Sequence, residues 1–140
     1  MKNTRQFAPE IVAAIAKSKV LGIRAGTGAH RIIGIWAVVV EDRVFVRSWS
    51  VKPHGWYRTF RKEPRGTMEI AGHELPVRAV QTRSERLKDA VDQAYAAKYG
   101  TKAGMKYVKD LCSPQSRATT TELVPERSTT SSPERSIDAP

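Results

Sequence analysis

Between Arg43 and Arg65 the chain places seven Lys/Arg against a single acid, Glu63, with five aromatic residues interleaved. A strand-like run ends in Arg47-Ser48-Trp49-Ser50. A Pro/Gly loop follows (Lys52-Pro53-His54-Gly55), and a short helix-like segment opens on Trp56-Tyr57-Arg58. A junction of this kind suits an anion. Exposed backbone N–H groups and the positive end of a helix favour phosphate, and arginine forks onto its oxygens. Arg47, Arg58 and Arg61 are the candidate grips, weighed against the plainer reading of a solvated basic face. Trp49 and Trp56 are placed to border a flat ring, although packing in a core suits tryptophan as well. These residue types point to a phosphorylated or otherwise anionic aromatic ligand without naming it.

Other chemistry finds little support. His30, His54, His73 and Cys112 are too scattered for any metal-ligand spacing, and no metal is expected. Gly26-Thr27-Gly28 is a lone GxG; Arg31 stands where the third glycine of a dinucleotide fingerprint belongs, and a strand follows it. No nucleophile elbow or zinc-protease helix occurs, and no acid–base pair stands out, so no catalytic residue is named. Tyr95 falls on an apolar stripe and reads as packing, while Tyr99 and Tyr107 are open to either packing or a cavity. Trp36, inside an apolar run, reads as core.

The 140 residues allow one domain and a tail. Net charge is +10, and residues 1–112 hold 21 Lys/Arg against 10 Asp/Glu. That excess attracts cofactor phosphates, nucleic acid or acidic lipid alike. One cysteine excludes an internal disulfide. The longest apolar run, Ile32–Val40, has nine residues against the ~20 that a membrane helix needs, and no signal peptide is visible. A cytoplasmic protein without membrane partners is expected.

The elements that position the junction follow from periodicity. Residues 9–18 read as a first helix and 20–25 as a strand. Ile32–Val40 reads as a strand buried on both faces, and Arg43–Trp49 as its hairpin return across Glu41-Asp42. In the return strand Val44, Val46 and Ser48 alternate with Phe45, Arg47 and Trp49. Residues 66–70 and 75–81 form a second hairpin, with Pro76 suggesting an edge or a strand start. A capping box at Thr82 and Glu85 opens a helix over 83–98, stopped by Gly100. A short helix near 105–111 and a last strand over 119–124 complete a domain spanning 1–124. The polar segment 125–140, with Pro-Glu-Arg-Ser twice, is expected to be disordered. The predicted class is α+β, mainly β with flanking helices, forming a small antiparallel barrel.

A strand ending in Arg-Ser-Trp, a loop, Trp-Tyr-Arg, then Pro64 and two hairpin strands resembles the FMN-binding split β-barrel superfamily, which includes pyridoxamine-phosphate oxidase-like proteins and deazaflavin-dependent nitroreductases. More closely, residues 10–124 resemble an uncharacterised bacterial family of domains of unknown function. The resemblance implies a flavin-type cofactor, FMN or a deazaflavin, bound at a homodimer interface. Its phosphate would meet Arg47, Ser48, Ser50, Lys52, Trp56 and Arg58, with Arg61 one turn on and Trp49 beside the ring. It also implies oxidoreductase chemistry carried by the cofactor. Two other classes stay open: a small barrel binding single-stranded nucleic acid through its basic and aromatic residues, and a non-catalytic small-ligand binder or dimeric scaffold.

Overall fold

The computed structural model describes residues 6–28, 31–49 and 55–126. These contain seven strands and five helices. In chain order they are α1 (Pro9–Lys17), β1 (Leu21–Ala25), β2 (Ile33–Ile35), β3 (Ala37–Val40), β4 (Arg43–Val46), α2 (Trp56–Lys62), β5 (Arg65–Ile70), β6 (His73–Gln81), α3 (Glu85–Tyr99), α4 (Met105–Leu111), α5 (Pro114–Arg117) and β7 (Thr121–Pro125).

Every strand pairing is antiparallel, in the order β2-β1-β5-β6-β7-β4-β3. The two ends of that order are neighbours in sequence: only Trp36 separates β2 from β3. One bent segment thus pairs with β1 on one side and with β4 on the other, and the sheet curls into a nearly closed barrel. The expected single strand Ile32–Val40 is therefore two half-strands. Burial on both faces holds for Ala37 and Val38 but not for Ile33, which is 43% exposed.

The bend is held from outside. Tyr95 donates to the Trp36 carbonyl (2.9 Å), while Lys98 Nζ (2.7 Å) and the Tyr99 hydroxyl (3.3 Å) donate to that of Ala37. All three come from α3, which lies against β3.

Two cores result. Leu21, Ile23, Val44, Val46, Met68, Val77 and Leu123 fill the barrel with Ile15 of α1 and Phe60 of α2. Val38 and Phe45 face outward beneath Leu87, Val91, Tyr95, Tyr99, Val108 and Leu111 of α3 and α4. β4 is consequently buried on both sides, with Val44 and Val46 inside and Phe45 under the helices.

Local chemistry explains the joints. Glu41 and Asp42 both take positive φ (55° and 61°), the backbone twist a two-residue hairpin requires. Ala71 and Gly72 do the same between β5 and β6. Gly66 lets β5 pass under α2: a Cβ there would lie 2.5 Å from the Arg24 carbonyl oxygen and 2.8 Å from the Phe60 ring. Glu63, just past α2, accepts from the Thr27 backbone N–H (3.2 Å) and hydroxyl (2.8 Å), tying the helix end to the turn after β1.

Three sequence expectations need correction. β6 is central, between β5 and β7, despite Pro76. Pro76 accepts from Glu126 N (3.1 Å), just past the end of β7, so its missing N–H falls where the neighbouring strand has run out. The N-cap of α3 is Ser84, whose hydroxyl accepts from Leu87 N (3.1 Å), not Thr82, whose N–H donates to Thr120 O. α5 was not anticipated. Pro125 closes β7 and Glu126 sits near Arg65 (3.6 Å) and Arg78 (3.4 Å), while the remainder of the expected tail lies outside the described residues.

Candidate functional site

The strand alternation that sends Phe45 outward carries Arg47 the same way, under α3 and α4. Its side chain is fully buried. Nε donates to Thr120 Oγ1 (2.9 Å), one terminal nitrogen to Asp92 Oδ1 (2.5 Å) and the Leu111 carbonyl (2.9 Å), and the other to the Lys88 carbonyl (2.9 Å). The guanidinium also lies over the Tyr95 ring, 5.9 Å from its centroid. Arg47 ties β4 to α3, α4 and the start of β7. With four of its five N–H donors engaged inside and the side chain fully buried, this placement does not present it to a surface phosphate.

Asp92 is shared. Its second oxygen accepts from Arg117, which also meets Glu85 (2.8 Å) and Asp89 (3.1 Å). The polar network around Arg47 therefore stands on residues that were not among the candidate site residues: Asp92, Arg117 and Thr120. Their signal was available in the alternation of β4 and in Asp92 lying one position after Val91 of the apolar stripe.

Ser48 is buried, its backbone N–H donating to Thr119 Oγ1 (2.9 Å) and its carbonyl accepting from Ser116 (2.7 Å). Trp49 then emerges, 45% exposed. Ser50, Lys52 and His54 lie outside the described residues. Beyond them Trp56 is half-buried against the barrel core and edge-on to Phe60 (6.0 Å). Arg58 and Arg61 are exposed on α2, Arg61 over the Tyr57 ring at 5.9 Å. Arg24, Arg43, Arg47, Arg65, Arg78, Arg86 and Arg117 each approach a carboxylate; Arg58 and Arg61, like Arg31 and Arg83, form no ion pair with a described residue. α2 has only seven residues, so attraction for an anion here rests on its side chains more than on a helix dipole.

Trp49 belongs to an aromatic cluster. It is edge-on to Trp36 (5.2 Å) and Tyr107 (6.0 Å), while Trp36 stacks on Tyr99 at 4.0 Å and 3°. Trp36 is thus partly exposed at the barrel bend and not the core residue its neighbours suggest. Tyr95 is fully buried, as its stripe position indicates.

Lys98, half-buried beside this cluster, donates to Ile15 O (2.9 Å) as well as Ala37 O, and burial pushes its pKa down to about 8. The folded protein therefore releases this proton before the unfolded chain does. Between pH 8 and the ordinary lysine value of 10.5 the unfolded form holds the extra proton, and stability rises with pH. Burial pushes Tyr99 up to about 12 and Tyr95 up too, so above pH 10 the unfolded tyrosines ionise first and stability falls. With Lys98 only half withdrawn from water, the rise from pH 8 to 10 is expected to be about 1 kcal/mol. It should be absent in Lys98→Met. Urea midpoints measured at both pH values check this, and an equal rise in both proteins would refute it.

Among the described residues no His/Cys/Asp/Glu group is arranged to hold a metal ion, and no helix is long and apolar enough to cross a membrane.

Residues 11–123 match the model of a family described as "Uncharacterized protein conserved in bacteria (DUF2255)". The chain belongs to this family. Comparison with curated proteins gives no match. Among solved structures, the DUF2255 barrel is similar to the haem-storage protein HutZ from Vibrio cholerae (TM-score 0.58, 16% identity, covering 87% of this chain and 92% of that one). It is similar also to a FAD-binding protein from Mesorhizobium loti (0.56, 12%, 86% and 91%). A conserved hypothetical protein from Mycobacterium tuberculosis matches at 0.53 and 14%, over 91% and 86%. At these identities the likeness is one of fold.

Proposed function

We propose that this DUF2255 chain is a small-ligand-binding split barrel that takes a flavin-type cofactor, FMN or a deazaflavin, where β4 runs out toward α2. The observation that carries the reading is that Arg58 and Arg61, one turn apart on α2, are both exposed and form no ion pair with a described residue, while seven other arginines approach carboxylates. A phosphate monoester supplies the acceptor geometry a guanidinium fork matches. Lys52 and Ser50 belong to the same proposed contact set, with Trp49 and Trp56 bordering the ring. Arg47 and Ser48 shape the strand end from within. The FAD-binding and haem-storage proteins of similar fold support a flat, anionic ligand.

When bound, a flavin supplies the hydride or single-electron chemistry, and the protein supplies grip, orientation and a local field. An oxidoreductase role follows on that basis, with a homodimer completing the site. The nucleic-acid reading has less to stand on. Seven of the described arginines are engaged by carboxylates, which leaves less of the positive charge free for a phosphate backbone.

Titrating FMN and a deazaflavin cofactor into the purified protein tests this. A saturable shift of the flavin absorption bands with quenching of flavin fluorescence is expected for one of the two. Unchanged spectra for both would overturn the reading.

A further inference from the structure

A cleft of about 560 Å³ opens between the end of α1, the Trp36 bend and the α3–α4 connection. That volume lies in the range of small-molecule sites, roughly 300–1,000 Å³. Its walls are unlike the rest of the surface. Trp36 and Tyr99, stacked on each other, form one side, and Tyr107 stands edge-on to Trp36 at 6.1 Å and 82°. Thr101, Ala103 and Gly104 leave the opposite side low. Gly104 is required there, because a Cβ would lie 2.3 Å from the Tyr99 carbonyl oxygen.

Three lysines, Lys17, Lys19 and Lys98, line the same space, and no acidic residue does. None of the three forms an ion pair with a described residue, whereas Lys88 does. Lys98 spends two of its three hydrogens on the carbonyls of Ile15 and Ala37, which fixes its ammonium beside the Tyr99 ring (5.1 Å) and leaves one donor. Lys17 and Lys19 are exposed at the rim. Aromatic walls with convergent positive charge and no competing carboxylate select a planar aromatic ring carrying an oxyanion.

We infer that this cleft is a second binding site, distinct from the Arg58–Arg61 grip although Trp49 touches its Trp36 and Tyr107 walls, for a small aromatic carboxylate. The ring lies against Trp36 and Tyr107 and the carboxylate faces Lys98, Lys17 and Lys19. The inference does not rest on the flavin reading, since it uses none of the residues between Arg47 and Arg61.

The test is calorimetric titration of 2-naphthoate, beside its uncharged amide 2-naphthamide and the phosphoester 2-naphthyl phosphate. The wild-type chain is expected to bind 2-naphthoate saturably and at least about tenfold tighter than the amide, one charge-assisted contact being enough for that ratio. Both lysines at the rim are exposed, so Lys17→Ala/Lys19→Ala should melt like the wild type yet lose most of that preference. Tyr107→Ala should weaken acid and amide alike. Arg58→Ala should change neither, which separates failure here from failure of the flavin site. Absence of saturable 2-naphthoate binding overturns the inference, as do equal affinity for acid and amide, an unaffected double variant, or loss of binding in Arg58→Ala. Phosphoester binding tighter than that of the carboxylate would overturn the choice of carboxylate.

Discussion

Arg47→Met is expected to cost about 3–5 kcal/mol of folding stability, the range for breaking a buried charged pair. The substitution keeps much of the side chain's volume but removes every donor. Thr120 Oγ1, the carbonyls of Lys88 and Leu111 and one Asp92 oxygen then lose their partner together, in a place Arg47 seals at 2% exposure. Asp92 keeps Arg117, which softens the loss without replacing the link from β4 to the helices. Domains of this size hold roughly 5–15 kcal/mol in all, so urea denaturation should show a large fall in midpoint. Arg47→Lys should recover only part of it, because one ammonium cannot span four acceptors set around a planar fork. Stability within about 0.5 kcal/mol of wild type together with loss of FMN would return Arg47 to the role the sequence suggests.

Arg58→Ala is expected to do the reverse. The residue is exposed and forms no ion pair with a described residue, so stability should stay within about 0.5 kcal/mol. A lost charge-assisted contact to phosphate, ~1.5–3 kcal/mol, raises the FMN dissociation constant roughly 10- to 150-fold. Arg61→Ala should weaken FMN less, since its guanidinium already lies over the Tyr57 ring. FMN affinity unchanged in both variants would remove α2 from the site.

These two arginines, eleven positions apart in one basic stretch, show what the sequence can and cannot say. Charge and aromatic content marked the stretch as chemical, but they do not distinguish a cation facing solvent from one serving as a core tie. The alternation Phe45, Arg47, Trp49 carried that information. It becomes readable only once α3 is known to cover the outer face of β4, a long-range contact that no local pattern encodes.

The barrel itself was more legible. Both hairpins and the stripe on α3 follow from period and turn chemistry, whereas the pairings of β1 with β5 and of β4 with β7 join strands far apart in sequence and follow from no local signal. The bend at Trp36 was hidden because IIGIWAVVV is uniformly apolar. Closure of the barrel, not residue type, decides where that run breaks. The cleft was hidden for the same reason, since its walls come from α1, the bend and α3–α4, far apart in sequence.

The three tryptophans supply the most direct readout of where a flavin sits. Their indole N–H signals, assigned by single substitution and followed by NMR during FMN titration, report on the aromatic cluster at the barrel bend, where Trp36 and Trp49 touch (5.2 Å), and separately on α2 (Trp56). Saturable movement of the Trp49 and Trp56 signals, lost in Arg58→Ala, is the predicted result. Three unmoved signals with FMN in excess, or movement that leaves Trp56 unaffected, would contradict it.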